Sequence, residues 1–457
     1  EARVQRNLGN TYTLKNGSAE PVTVTRKLGL GIRVIVDGAM GFASTNNLNR
    51  DSIKIATESA VRTAKASKRL FGSPIRLSEE KMSDARWEAK MKIDFREIPP
   101  EQKFEVLFTI EKSLAQENVG VKLPSRILLF DEDLAEKSYV NSEGSRLYGF
   151  IPRLSLLFIL TCEEPGKGTM QRIRHEAQSR GWEVIDYWNI EKIALNDAKM
   201  LGKMLREGVA PPKGEVDVIL GSEVTGIICH ESCGHPQEAD RILGREAAQA
   251  GESYIKPGML GQRIGSEHVT VIDDPTLPNS YGFYQYDDEG VKAHPRTLIK
   301  EGIITELLHN RETAAELQVS SNAASRSSAY DREPIIRMAN TYMKPEDHSL
   351  EELVEGVGYG VYMKSFMEWN IDDRRYNQRY VGLESYLIEN GEISTPIRNP
   401  VLEITTPGLY GSVDAVGKEL EFSAATCGKG DPMQGAPVWT GGPPIRVRKI
   451  RLGEGKE

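Results

Sequence analysis

Residues 216–236 read Val-Asp-Val-Ile-Leu-Gly-Ser-Glu-Val-Thr-Gly-Ile-Ile-Cys-His-Glu-Ser-Cys-Gly-His-Pro. Positions 216–220 form a β-branched, apolar run of the length expected for a buried strand. Gly221 and Ser222 interrupt it, and Ser222 is placed to cap a helix. An apolar turn, 224–228, then leads into His230-Glu231-Ser232-Cys233-Gly234-His235. Chemistry mounted on a helix that leaves a buried strand is held rigidly. Neutral imidazoles can hold zinc and leave coordination positions open. Such an ion lowers the pKa of a bound water, and a neighbouring carboxylate can accept the proton. In the common zinc-protease spacing, HExxH, the histidines lie one helical turn apart. Here the spacing is HExxxH. Five residues of α-helix rotate about 500°, which would aim the two rings about 140° apart. One π-type turn brings them back to a common face. Gly234 makes that distortion cheap, and Pro236 favours a break after it. The stretch therefore predicts a kinked or bulged helix with both histidines on its inner side.

The rest of the sequence sets bounds on this reading. At 457 residues the chain exceeds one ordinary core, which predicts two domains. Hydrophobic content of 39% and charged content of 27% fit a globular protein. A net charge of −8 argues against nucleic-acid binding, which brings a basic domain. No apolar run approaches the roughly 20 residues that cross a membrane. Cys162, Cys229, Cys233 and Cys427 make no disulfide framework, which points to a reducing, cytoplasmic setting.

Outward from the motif, the expected architecture is α+β. An N-terminal α/β domain with a mixed or antiparallel sheet, residues 1–207, precedes a β-rich antiparallel domain, residues 208–457, that carries the motif helix. In the first, short strands fill 1–40 with a turn at Asn16-Gly17. A helix over 52–68, capped by Asn49 or Asp51, has Ile53, Ala56, Ala60 and Ala64 as its inner stripe. A second, opened by Pro99 and Pro100 and running to 116, turns Phe104, Leu107, Phe108 and Leu114 inward. Separate strands are expected over 126–130 and 136–140, then 145–150 and 154–162, with 167–180 ambiguous. Asn189 caps a helix to 206, and 208–214 reads as a linker. In the second half, β-type runs fall at 268–272, 296–301, 303–308, 359–364, 380–389, 401–406 and 445–452. Residues 407–411 and 435–444 are expected to be loops.

Two histidines do not complete a catalytic shell, which normally has three protein ligands plus water. Glu238 and Asp240 lie close downstream. Cys229 and Cys233 flank His230 and suit buried packing instead. Cys427 sits in a polar, glycine-bearing stretch, 424–431, where a close backbone approach is possible. An ordinary loop thiol is an equal reading of it.

With these residues in view, the chain resembles the TldD/PmbA family of zinc-dependent peptidases, on the TldD side. The resemblance rests on linked blocks in the family's order. These are the HExxxH stretch, Asp287-Asp-Glu-Gly290, Pro334-Ile-Ile-Arg337-Met-Ala-Asn340-Thr-Tyr-Met343, Val357-Gly-Tyr-Gly-Val-Tyr362, Glu384-Ser-Tyr-Leu-Ile-Glu-Asn-Gly-Glu-Ile393 and Thr426-Cys-Gly-Lys429. It implies a Zn2+ ion held by His230, His235 and Cys427, with Glu231 as general base. It also implies small or unfolded peptides as substrates, and a homodimer or a heterodimer with a related subunit. Ser232-Cys233 departs from the small apolar residues usual there, and a thiol beside the ion would be oxidation-sensitive. The rival readings are a non-catalytic partner subunit or scaffold, with a structural or empty metal site, and a hydrolase of non-peptide amides. Of the other blocks, 287–290 reads first as a turn, Arg337 as a carboxylate grip or a structural ion pair, and Glu384 as support behind the site. Tyr342, Tyr359 and Tyr362 read as packing, and the cluster at Arg446, Arg448, Lys449 and Arg451 as a solvated strand face.

Overall fold

A computed structural model describes residues 1–68, 73–116, 122–246 and 251–454. In the N-terminal half the central path of an eight-stranded sheet runs Ala39–Thr45, Thr23–Val36, Ala2–Lys15, Lys122–Val140, Arg146–Glu164, Asp84–Glu88. Most pairings are antiparallel, but Asp84–Glu88 runs parallel to Arg146–Glu164. The expected strands at 126–130 and 136–140 are one strand of 19 residues, Lys122–Val140. The acidic run Asp131-Glu132-Asp133, which read as a break, continues the pleat. Leu128, Phe130, Glu132 and Leu134 share its buried face, and Lys103 neutralises Glu132 from the covering helix at 2.6 Å. Arg146–Glu164 likewise runs through Pro152. Around 151–153 the strand has a neighbour on one edge only, since pairing with Asp84–Glu88 ends at Phe150 and pairing with Gly168–Gln178 begins at Leu154. A proline is tolerated at such an uncovered edge. The ambiguous stretch is the strand Gly168–Gln178.

Helix Arg50–Ser67 is capped by Asn49 and buries Ala56, Ala60 and Ala64. In Pro100–Gln116 the inward stripe is Leu107, Ile110 and Leu114, and Phe108 is exposed. The outward turn of Phe108 follows from the spacing, since 107, 110 and 114 define the helical face and 108 lies about 100° off it. Asn189 adopts a left-handed conformation before helix Ile190–Glu207, and its side chain makes no cap bond.

The C-terminal half holds two further large sheets. Its nine-stranded sheet has Glu215–Leu220 at the centre, between Ile445–Glu454 and Tyr359–Met363. A six-stranded sheet ends in Asn340–Met343, Gln434–Gly442 and Glu421–Lys429, with Glu421–Lys429 on the edge. Neither is purely antiparallel, because Tyr359–Met363 runs parallel to Glu215–Leu220 and Asn340–Met343 parallel to Gln434–Gly442. Each parallel pair joins segments far apart in sequence, so long crossovers replace hairpins. The expected loop at 435–444 is mostly strand Gln434–Gly442, paired along Glu421–Lys429. Residues 407–411 belong to a short helix, Thr406–Gly411, capped by the Thr405 hydroxyl. One core joins Val218 and Leu220 of the larger sheet, Val224, Ile228 and Cys229 of the motif segment, and Val271, Met343 and Val438 of the smaller sheet. The motif is thus wedged between two sheets, which fixes where its side chains point. Among the described residues no helix is long and apolar enough to cross a membrane.

Candidate metal centre

Chain direction changes at Gly221, the N-cap of the helix Ser222–Ile228. Ser222 is the first helical residue and makes no cap bond. A Cβ at position 221 would lie 2.4 Å from the Lys364 carbonyl oxygen, so glycine is required where the chain leaves the strand. From Cys229 to Gly234 the backbone is a π-turn, followed by a 3-10 turn, His235–Gln237, that includes Pro236. Across this turn the rings of His230 and His235 stand 4.9 Å apart at 80°.

Cys427 arrives from the edge strand Glu421–Lys429 rather than from a loop. Its Sγ lies 3.3 Å from His235 Nε2. Donor atoms of His230, His235 and Cys427 all fall within 4.8 Å of one another, and among the described residues this is the one such trio. All three side chains are buried, as is Glu231. His230 Nδ1 is buried and has no hydrogen-bond partner. Two imidazoles and a thiol converging around an unpartnered buried nitrogen suit a zinc ion. Burial pushes the Cys427 thiol up, but His235 and Arg337 outweigh it and bring the pKa to about 7. Ordinary packed cysteines behave otherwise, and burial raises Cys229 and Cys233.

The two downstream carboxylates do not join the trio. Glu238 Oε2 sits 2.9 Å from His235 Nδ1, the arrangement that fixes a ligand histidine's tautomer and orientation. Arg241 Nε at 2.6 Å and Lys429 Nζ at 3.2 Å hold the same oxygen. Burial alone would raise the Glu238 pKa, but Lys429, His235 and Arg241 keep it well below the usual range. Asp240 pairs with Lys429 at 2.7 Å. Lys429 thus belongs to the same strand as Cys427 and ties it to the support of His235.

Glu231 has a partner that reading the sequence missed. Arg375, at the tip between Phe366–Ile371 and Asn377–Gly382, donates to its carboxylate, and the pair is buried. Burial, which raises the Glu231 pKa, is outweighed by His235, Arg375 and His230, which hold it low. Arg375 lies in the polar run 372–376 and has φ 64°. Nothing in that run announces a contact with residue 231, because the contact depends on how a hairpin folds over.

Other expected residues have structural roles. Arg337 donates to the carbonyls of Gln434 and Cys427. Asn340 bonds the Asp274 carbonyl and Ser280 Oγ at 2.6 and 2.9 Å. Residues 287–290 turn the chain through backbone bonds to Asp287, and they also meet the N-terminal half. Asp288 pairs with Arg3 and Lys137 at 3.3 and 2.8 Å, and Glu289 with Arg33 at 2.5 Å. Glu384 bonds Lys364 and Tyr386, away from the trio. Arg446 and Arg448 pair with Asp414, and Arg448 with Asp217.

The chain has relatives among known proteins. Residues 213–454 match the PmbA/TldA metallopeptidase C-terminal domain, and residues 1–64 match PmbA/TldA metallopeptidase domain 1. The chain is 32% identical over 449 residues to a metalloprotease of Methanocaldococcus jannaschii, covering 98% of this chain and 95% of that protein. It is 31% identical over 333 residues to a zinc metalloprotease TldD homolog of Saccharolobus solfataricus, covering 72% of each. Its fold is similar to that of TldE from Thermococcus kodakarensis, with a TM-score of 0.78 at 16% identity over 99% of this chain and 96% of that one.

Proposed function

Because the chain belongs to the PmbA/TldD metallopeptidase family, we propose that it is a zinc-dependent peptidase acting on small or unfolded peptides, with His230, His235 and Cys427 as metal ligands and Glu231 as general base. The observation that carries this reading is the convergence of the three donors on one buried point beside Glu231. When bound, zinc supplies a Lewis acid and an acidified water. The Glu231 carboxylate takes the proton of the attacking water and passes it to the leaving nitrogen. Glu238 holds His235 in the tautomer that keeps Nε2 free to coordinate. Arg375 bound to Glu231 weakens that carboxylate as a base, so proton transfer requires Arg375 to share it or let go. Burial of His230 and Glu231 to 4% and 7% exposure favours an extended, flexible substrate over a folded one. In this reading the chain divides into units 1–207 and 208–457, the second carrying the centre. It works in the cytoplasm as a homodimer or with a related subunit.

The test is Glu231→Gln. The variant is expected to keep zinc at the parent's stoichiometry while cleavage of unstructured peptides falls by about 10²–10⁴-fold. Parent-rate cleavage would remove Glu231 from the role, and zinc-free protein with full activity would remove the metal. A panel of small amides beside the peptides separates a peptidase from a general amidase.

A further inference from the structure

Behind the strand that carries Cys427 lies a cavity of about 240 Å³, walled by the N-terminal sheet on one side and by the C-terminal half on the other. This is below the roughly 300–1,000 Å³ of drug-sized sites, so its occupant is small. Its walls are charged in an uneven way. In its lining Asp131, which pairs with no cation among the described residues, accepts a hydrogen bond from Thr11 at 2.5 Å. Burial, with Asp133 and Glu132 nearby, raises its pKa to about 6. Also in the lining, Arg326 is buried to 9% exposure and has no carboxylate partner among the described residues. It donates to the Met338 carbonyl at 2.6 Å and stacks over Tyr284 at 5.3 Å. Burial lowers its pKa to about 10, and Arg153 and Arg337 add to that as like charges. Of these neighbours only Arg153 has a carboxylate, Asp133 at 3.4 Å. Gln5 also lines the cavity, 1% exposed, with its carbonyl oxygen unpartnered. Buried charges and acceptors are ordinarily paired. A cavity lined by a carboxyl and a guanidinium that do not pair with each other is short of a dipolar occupant.

The sheet register gives a length for that occupant. Asp133 opposes Arg153 across the strand pair and lies two residues from Asp131, or about 7 Å along a strand. Arg326 lies near enough to Arg153 for their like charges to act on each other. A free amino acid is too short to reach both, whereas an extended chain advances about 3.3–3.6 Å per residue. We propose that this cavity is a second ligand site, separate from the metal centre, that takes a zwitterionic di- or tripeptide with its ammonium group at Asp131 and its carboxylate at Arg326. Short free peptides are what a peptidase generates, yet the site is argued from its own charges and stands whether or not the zinc reading does. Arg337, which also lines the cavity, bonds the Cys427 carbonyl, so the occupant lies one strand away from the metal ligand.

The test is calorimetric binding of triglycine to the full chain carrying Glu231→Gln, in which cleavage is slowed by about 10²–10⁴-fold. N-acetyl-triglycine lacks the ammonium group and triglycinamide lacks the carboxylate. Each is expected to bind about tenfold or more weakly than triglycine, the loss of one charge-assisted hydrogen bond. Adding Asp131→Asn is expected to abolish the preference over the acetylated peptide only. Adding Arg326→Met is expected to abolish the preference over the amide only, with Arg326→Lys restoring it. Unliganded melting within a few degrees of the parent verifies that the variants fold. Three outcomes would each overturn the proposal. They are no heat with triglycine at 10 mM, equal binding of all three peptides, and selectivity untouched by either substitution, which would put the peptide elsewhere.

Discussion

Glu238 shows how a candidate residue can be legible in the sequence while the atom it faces is not. As a carboxylate just downstream of the motif it was, with Asp240, a candidate third ligand. Only the fold reveals that its Oε2 faces His235 Nδ1 while Arg241 and Lys429 hold the same oxygen. Ligand types and spacings are legible from residues alone, whereas which atom stands behind which depends on side-chain direction across elements. Cys427 is the converse. Local sequence left it balanced between ligand and loop thiol, and the strand it sits on brings its sulfur to 3.3 Å from His235 Nε2. If Glu238 orients His235, Glu238→Gln should weaken zinc binding by about 10–100-fold, read by competition with a chromogenic chelator. It should also cost about 3 kcal/mol of stability or more, because Lys429 and Arg241 stay buried with less compensating charge. Unchanged zinc affinity would mean that the contact is incidental.

At the scale of an element, the informative unit is the turn from Cys229 to Gly234. An HExxxH spacing on a regular helix separates its histidines, so it makes sense only with a local widening. The π-turn together with the 3-10 turn behind it is the form that widening takes. Strand lengths were less legible. Asp131 to Asp133 and Pro152 look like interruptions until Lys103 and an uncovered sheet edge are known, and both lie outside the local window. The hairpin carrying Arg375, Phe366–Ile371 paired with Asn377–Gly382, was not among the β-type runs read from the sequence, and its closure on Glu231 is a tertiary fact. Within the π-turn, Gly234 has a job a side chain would spoil. An added Cβ would fall 1.8 Å from Met338 Sδ and 3.0 Å from its Cγ, and Met338 is 1% exposed. Gly234→Ala is therefore expected to lose about 1–3 kcal/mol to overpacking and to lower zinc content, by denaturant titration and metal analysis. Met338→Ala in the same chain should recover zinc by making room. A Gly234→Ala protein with the parent's midpoint and full zinc would show that the turn has slack.

For the whole molecule, the question is what holds the N-terminal sheet against the half that bears the centre. The seam is unusually ionic. Arg3 and Lys137 converge on Asp288, and Arg33 meets Glu289, whose other oxygen accepts from the Arg311 backbone N–H at 2.7 Å. Asp288, Glu289, Arg3 and Arg33 are all buried. A block read from sequence as a turn is thus also the place where the halves are registered. Buried pairs of this kind add little beyond an apolar replacement of the same shape, yet removing one partner leaves an uncompensated charge at about 3–5 kcal/mol. Asp288→Asn preserves shape and removes the charge that Arg3 and Lys137 share. With roughly 2.1 cal/mol/K of unfolding entropy per residue over 457 residues, the melting temperature should fall by about 3–5 °C in scanning calorimetry. Arg3→Met on top of Asp288→Asn should lose less than the sum of the two single changes, because it takes away a charge already stranded. Additive losses, or a melt within a degree of the parent for Asp288→Asn, would show that apolar packing, and not this ion cluster, sets the register of the two halves.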